Sequence, residues 1–201
     1  PQEIDRQGFK NMTKAIAGVD EVGRGSLVGP VYAAAVVLKK KIIKKKLKDS
    51  KKLSKKNRKI LYQYIKKNSF WAIGSASLKE IEKFNILNAS LLAMKRAITK
   101  LKKKPGLVLI DGNKIPKMKN YNLKNIIKGD QKIPEISAAS IIAKVSRDRF
   151  IAKLSKNFKK YSWHKNFGYG TKDHIQAIKK FGITKHHRKT FMPVHNMLSL
   201  R

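Results

Sequence analysis

The sequence contains no cysteine, which excludes disulfides, thiolate metal sites and a cysteine nucleophile. Any metal must be held by carboxylates or by the 5 histidines, and oxygen ligands favour Mg²⁺ or Mn²⁺. Acid is scarce: 12 Asp and Glu stand against 48 Lys and Arg in 201 residues, a formal charge of +36. Long apolar runs are missing too, since stretches such as VYAAAVVL at 31–38 are far too short to cross a bilayer. Nothing at the N-terminus has the charged-then-apolar layout of a signal peptide. The expectation is a soluble, cytoplasmic monomer with no membrane partner. What is present in quantity is a 41% hydrophobic fraction, enough at this length to bury one real core.

The basic excess implies salt-sensitive attraction to a polyanion but names no activity. Only 8 of the 48 basic residues are Arg, while Ile and Asn are plentiful, so much of the lysine reads as compositional drift on solvated faces. The scarce acids are therefore the informative residues.

Their positions follow a pattern. AIAGVDEV (15–22) is a short apolar strand that delivers Asp20 and Glu21 to the turn Gly23-Arg24-Gly25. Pro30 opens VYAAAVVL, continuously apolar and so buried on both faces. The lysine-dense 39–59 region leads into an amphipathic helix over 55–67 with Ile60, Leu61, Tyr64 and Ile65 on one face. FWAIGSASL (70–78) predicts a third strand, and 79–103 a helix stopped by Pro105. LVLID (107–111) again ends on a carboxylate, Asp111, and NIIKGD (125–130) predicts a short strand ending on Asp130. A long helix from Pro134 carries the small residues Ser137–Ser140, suited to close packing on a sheet, with Asp148 farther along between Arg147 and Arg149. An aromatic, glycine-bearing loop at 162–171, a helix capped by Thr171 and the basic HHRKTF (186–191) close the pattern.

A single Asp after an apolar strand is usually an Asx turn. Carboxylates at the ends of adjacent strands in one sheet would instead converge, repel one another and call for a divalent cation. Two such ions can activate a water and stabilise a leaving oxygen in phosphodiester hydrolysis.

The residues AGVDEVGRGSLVGPVYAAAVVL (17–38) closely resemble the signature of type 2 ribonuclease H, the bacterial ribonuclease HII family, with DEVGRG its most specific element. The resemblance continues in order through DSKKLS (49–54), EKFNILNAS (82–90), LIDGN (109–113), KGDQKIPEISAASIIAKVSRD (128–148), GYGT (168–171) and HHRKTFMPV (186–194).

It implies an α/β, ribonuclease H-like fold: a mixed five-stranded sheet flanked by helices over 1–155, with a helical substrate-binding extension over 156–201. The implied catalytic, metal-holding carboxylates are Asp20, Glu21, Asp111 and Asp130, binding two Mg²⁺ or Mn²⁺ ions. Asp148 is a rival ligand, although an Asp between arginines in a helix more often forms local ion pairs. Gly23, Arg24 and Gly25 would approach the sugar edge through backbone groups, and Tyr169 would stack on the sugar and contact its 2′-hydroxyl. Lys51, Lys52 and Arg188, with His186 and His187, would contact phosphates. The implied substrates are RNA–DNA hybrids and DNA duplexes containing single ribonucleotides, cut on the 5′ side to leave a 3′-hydroxyl and a 5′-phosphate. Two alternatives stay open: another two-metal nuclease of this fold, such as a resolvase or a type 3 ribonuclease H, and a non-catalytic basic nucleic-acid-binding protein.

Overall fold

The structure, a computed structural model, describes residues 15–39, 47 and 54–199. The apolar runs form β1 (Ile16–Val22), β2 (Val31–Leu38), β3 (Ser69–Ala76) and β4 (Leu107–Asp111), followed by a short β5 (Leu123–Ile126). These make one sheet in the order β3-β2-β1-β4-β5. β1 to β3 pair antiparallel, whereas β4 pairs parallel to β1 and β5 parallel to β4. The mixed five-stranded sheet is the one expected.

Alternation along the strands sorts side chains into two layers. Ala17 and Val19 of β1, with Val108 and Ile110 of β4, pack against Ala93, Met94 and Ala97 of α2 (Leu78–Thr99). On the other face Ala34 and Val36 of β2 meet Ala138, Ala139 and Ile142 of α4 (Pro134–Ser155) and Leu61 and Ile65 of α1 (Lys55–Asn68). Small residues set the spacing. A Cβ at Gly18 would overlap the backbone of Glu135 and Ile136, so α4 lies almost directly on β1. Pro134 starts α4 in its first turn, where its missing N–H costs nothing.

Four details depart from the sequence expectations. The buried face of α1 is Leu61, Tyr62 and Ile65, while Ile60 is 62% exposed and Tyr64 is also exposed. In a lysine-rich helix, apolar residues on two faces leave the inward one to be chosen by packing. α2 ends at Thr99 rather than 103, and is broken at Asn85 (φ 64°), whose Oδ1 accepts from Asn88 N and recaps the helix. β5 stops at Ile126, because Lys128 adopts a left-handed conformation and turns the chain into a one-turn helix α3 (Gly129–Lys132). Asp130 therefore sits in α3, not at a strand end.

Beyond α4 come a 3₁₀ turn (Lys159–Tyr161), α5 (Trp163–Asn166), α6 (Lys172–Phe181) and α7 (Val194–Ser199). Thr171 caps α6 as expected, its Oγ1 accepting from His174 N. These elements gather around Trp163, Ile178 and Val194, and the same cluster takes in Leu27 and Val28 from the turn after β1. Among the described residues no helix is long and apolar enough to cross a membrane.

Candidate active site

The parallel pairing of β1 with β4 places the acids. Val19 is in register with Ile110, so the next residues, Asp20 and Asp111, leave the sheet side by side at one edge. Asp111 is in register with Ile126 of β5, and Gly129 of α3, which donates to Asp111, is followed in the chain by Asp130. Asp111 Oδ1 accepts from Gly112 N at 2.9 Å and from Gly129 N at 2.8 Å. Asp130 beside Gly129 is buried. Asp20 Oδ1 accepts from Glu21 N at 2.7 Å, and its carboxylate also bonds Ser140 of α4.

The electrostatics are those of a crowd of like charges. Burial first, then Glu21 and Asp111, push the Asp20 carboxyl well above the usual range. Burial also raises Glu21, with Asp111 adding to the rise and Arg24 opposing it. Arg24 Nη1 lies 3.2 Å from Glu21 Oε1, a cation at the rim of the cluster. Beside Glu21 and Asp111 a cleft of about 70 Å³ opens between Asn113 and Lys114 and the α2 residues Leu87 and Met94.

This donor set suits a hard divalent cation: every contributor is oxygen, and mutual repulsion is what such an ion relieves. Among the described residues no three Asp, Glu or His side chains yet surround one point closely enough to hold an ion. Glu21 is turned to Arg24 and Asp111 to two amides.

The turn after β1 is held between two distant segments. Ser26 bridges Tyr169 and Val28 bridges His187, both antiparallel. Leu27 N donates to Gly168 O, Arg188 N to Leu27 O and Gly29 N to His186 O. Gly23 through Gly29 thus lies between the GYGT loop and the 186–188 segment, and Tyr169 stands beside the Gly-Arg-Gly turn. Arg188 is a correction: it is fully buried, with Nε on Gly29 O and Nη1 on Arg24 O, so its guanidinium faces backbone and not an external phosphate. His187 is buried as well. Lys51 and Lys52 lie outside the described residues. Asp148 pairs with Lys144 at 3.0 Å and not with its flanking arginines. Sequence reasoning missed Ser26, Ser140 and Gly129 as supports of the site; for the two serines the signal was a small polar residue beside an apolar run, whereas Gly129 acts through its backbone N–H in a charged turn, which leaves no such mark.

A buried imidazole pair also supports Tyr169. His174 Nδ1 lies 2.9 Å from Tyr169 O, so Nδ1 carries the proton; Nε2 accepts from Trp163 Nε1 at 2.9 Å. His187 Nδ1 accepts from Thr184 N, leaving its Nε2–H directed at His174 Nε2 at 3.3 Å. Both rings are neutral in this arrangement. Burial, then His174, pushes His187 down to about 4, and burial lowers His174 also. The unfolded chain therefore takes up these protons first. The stabilisation from a neutral His187 is complete above pH about 6.5 and is lost as pH falls toward 4, about 3 kcal/mol in all. Asp20 and Glu21, being raised, act in the opposite sense, so the check is a comparison. Tm should fall more steeply between pH 6.5 and 4 in the unmodified protein than in His187→Asn, and equal slopes would refute this.

A family model described as Ribonuclease HII matches residues 17–194. The chain belongs to the ribonuclease HII family. A Ribonuclease HII of Pelagibacter ubique is 72% identical over 185 residues, covering 92% of this chain and 100% of that protein. One from Roseobacter denitrificans is 49% identical over 185 residues, covering 92% and 93%. Among solved structures, the ribonuclease H2 from Pyrococcus horikoshii is similar at a TM-score of 0.77 and 26% identity, covering 92% of this chain and 98% of that one. The protein is therefore a nuclease, a hydrolase of a family that depends on divalent metal, and the non-catalytic alternative falls away.

Proposed function

We propose that the protein hydrolyses RNA in RNA–DNA hybrids and cuts duplex DNA on the 5′ side of single embedded ribonucleotides, leaving a 3′-hydroxyl and a 5′-phosphate. The observation that carries this reading is the adjacency of two features: Asp20, Glu21 and Asp111 on one sheet edge, and directly after it the Gly-Arg-Gly turn, whose next residue, Ser26, bridges Tyr169.

Finding a ribonucleotide in DNA means detecting one 2′-hydroxyl without reading bases. Gly25 suits that task in a specific way. A Cβ there would meet nothing within 4 Å, and its φ lies outside the left-handed region, so the fold itself does not demand glycine. A bare backbone at this exposed point instead leaves room for a sugar to approach. Tyr169 offers its ring beside the same turn. Asp20, Glu21, Asp111 and Asp130 would hold two Mg²⁺ or Mn²⁺ ions, which supply activation of the attacking water and charge relief at the leaving oxygen. Arg24 neutralises Glu21, and Ser140 with the amides of Gly112 and Gly129 fixes the carboxylate rotamers. Residues 156–201 would act as the substrate-binding extension of a catalytic part over 1–155, in a cytoplasmic monomer.

The test is a duplex with one embedded ribonucleotide, incubated with Mg²⁺ or Mn²⁺ beside an all-DNA control. Nicking 5′ of the ribonucleotide alone, with 3′-hydroxyl and 5′-phosphate ends, is the expected result. Equal cutting of the control would eliminate the ribonucleotide reading.

A further inference from the structure

Two of the largest fully buried side chains are arginines, Arg147 and Arg188, each at 0% exposure. Among the described residues neither lies within ion-pair distance of a carboxylate. Arg147 donates to Val28 O at 2.8 Å, Phe167 O at 3.1 Å and Pro30 O at 3.2 Å. Arg188 donates to Arg24 O at 2.8 Å and Gly29 O at 2.9 Å, while its Nη2 is buried with no hydrogen-bond partner. The two cations also repel: burial, then Arg147, pushes Arg188 down to about 9.

Burying a guanidinium without a carboxylate is costly, and an apolar side chain of similar volume would serve packing better. The residue choice is telling too, because this chain uses Arg at only 8 of 48 basic positions. Lysine cannot replace the planar fork, which reaches several carbonyls at fixed angles. The five carbonyls gripped here have one thing in common. Four belong to the 24–30 segment after the acids, and the fifth, Phe167 O, belongs to the loop that carries Tyr169. Arg147 also lies 5.6 Å below the centre of the Tyr169 ring, and a Cβ at Gly23 would overlap its side chain.

We propose that Arg147 and Arg188 are positioning residues for ribose-over-deoxyribose discrimination, locking the Gly23–Gly25 backbone and Tyr169 into one rigid reader of the 2′-hydroxyl. The inference rests on the proposed function. It assigns the buried pair no contact with substrate: their carbonyl grip fixes the separation of two groups that must meet a sugar from two sides, and a misplacement near 1 Å there is worth about a hundredfold.

Arg188→Lys keeps the charge and removes the fork. The measurement is the ratio of dissociation constants for an all-DNA duplex and the same duplex with one ribonucleotide, taken by fluorescence anisotropy under non-cleaving conditions, together with kcat on the ribonucleotide duplex. The ratio is expected to fall toward 1 by about tenfold or more, with affinity for all-DNA duplex unchanged within about twofold. A purely structural role would lower Tm and the active fraction but leave the ratio intact, and that result would overturn the proposal. If Arg188→Lys does not fold, Arg147→Lys gives the same readout from the other side of the turn. No ribonucleotide preference in the unmodified protein would instead defeat the proposed function, so the two failures are distinguishable.

Discussion

Asp111→Asn should bind a ribonucleotide-containing duplex as the unmodified protein does and fail to cut it, with the rate down on the order of a thousandfold. Asn is nearly isosteric, and its Oδ1 can keep accepting from Gly112 N and Gly129 N, so the β4 edge and the turn into α3 survive. What disappears is one negative charge in a cluster that is stable only when cations share it. Asp20 and Glu21 are both raised partly by Asp111, so the substitution relieves repulsion and leaves Tm unchanged or slightly higher. Binding is spared because a chain of formal charge +36 gains one more positive unit. The measurements are single-turnover cleavage in Mg²⁺ or Mn²⁺, anisotropy with the same duplex, and a thermal melt. Chelating the divalent ions from the unmodified protein should reproduce the variant's behaviour. Cleavage by Asp111→Asn within tenfold of the parent would remove Asp111 from the catalytic set.

The legible part of the molecule is whatever has a local cause. Four apolar runs became strands nearly where alternation and length put them, and Pro134 and Thr171 marked helix starts through the chemistry of their own first turns. The carboxylates could be picked out because acid is rare and three of them follow apolar runs. β5 was misplaced because Ile126 and Ile127 look alike in sequence, yet the strand ends on the buried Ile126, Ile127 is exposed, and Lys128 turns the chain left-handed into α3. Arg188 was misread for a related reason. In HHRKTF it is one cation among several, and its burial depends on pairing with a turn 164 residues away. Long-range partners of that kind leave no periodicity behind. The use of arginine in a lysine-rich chain was the available signal: Arg24, Arg96, Arg147 and Arg188 each hold a specific carboxylate or carbonyl.

The other large effect is expected at a residue with no chemistry at all. Gly18 lies two positions before Asp20, on the face of β1 that meets α4, and the missing side chain lets the helix backbone at Glu135 and Ile136 touch the strand. Gly18→Ala puts a methyl group into that backbone, which has no flexible end to swing aside. Relief requires α4 to move off the sheet, and α4 carries Ser140, the partner of Asp20, as well as Arg147 farther along the same helix. Overpacking against rigid backbone belongs at the upper end of the usual range, about 3 kcal/mol or more, which for a chain of this size lowers Tm by about 10 °C. Activity should fall further than the folded fraction does, because Asp20 loses its support even in molecules that remain folded. Gly25→Ala is the matched contrast: with open space around its Cβ and no left-handed φ, it should leave Tm within about 1 °C while weakening cleavage beside a ribonucleotide. Thermal melts of both variants beside the single-ribonucleotide assay separate the two roles of glycine. A Gly18→Ala protein as stable as its parent would show that α4 does not depend on this close approach.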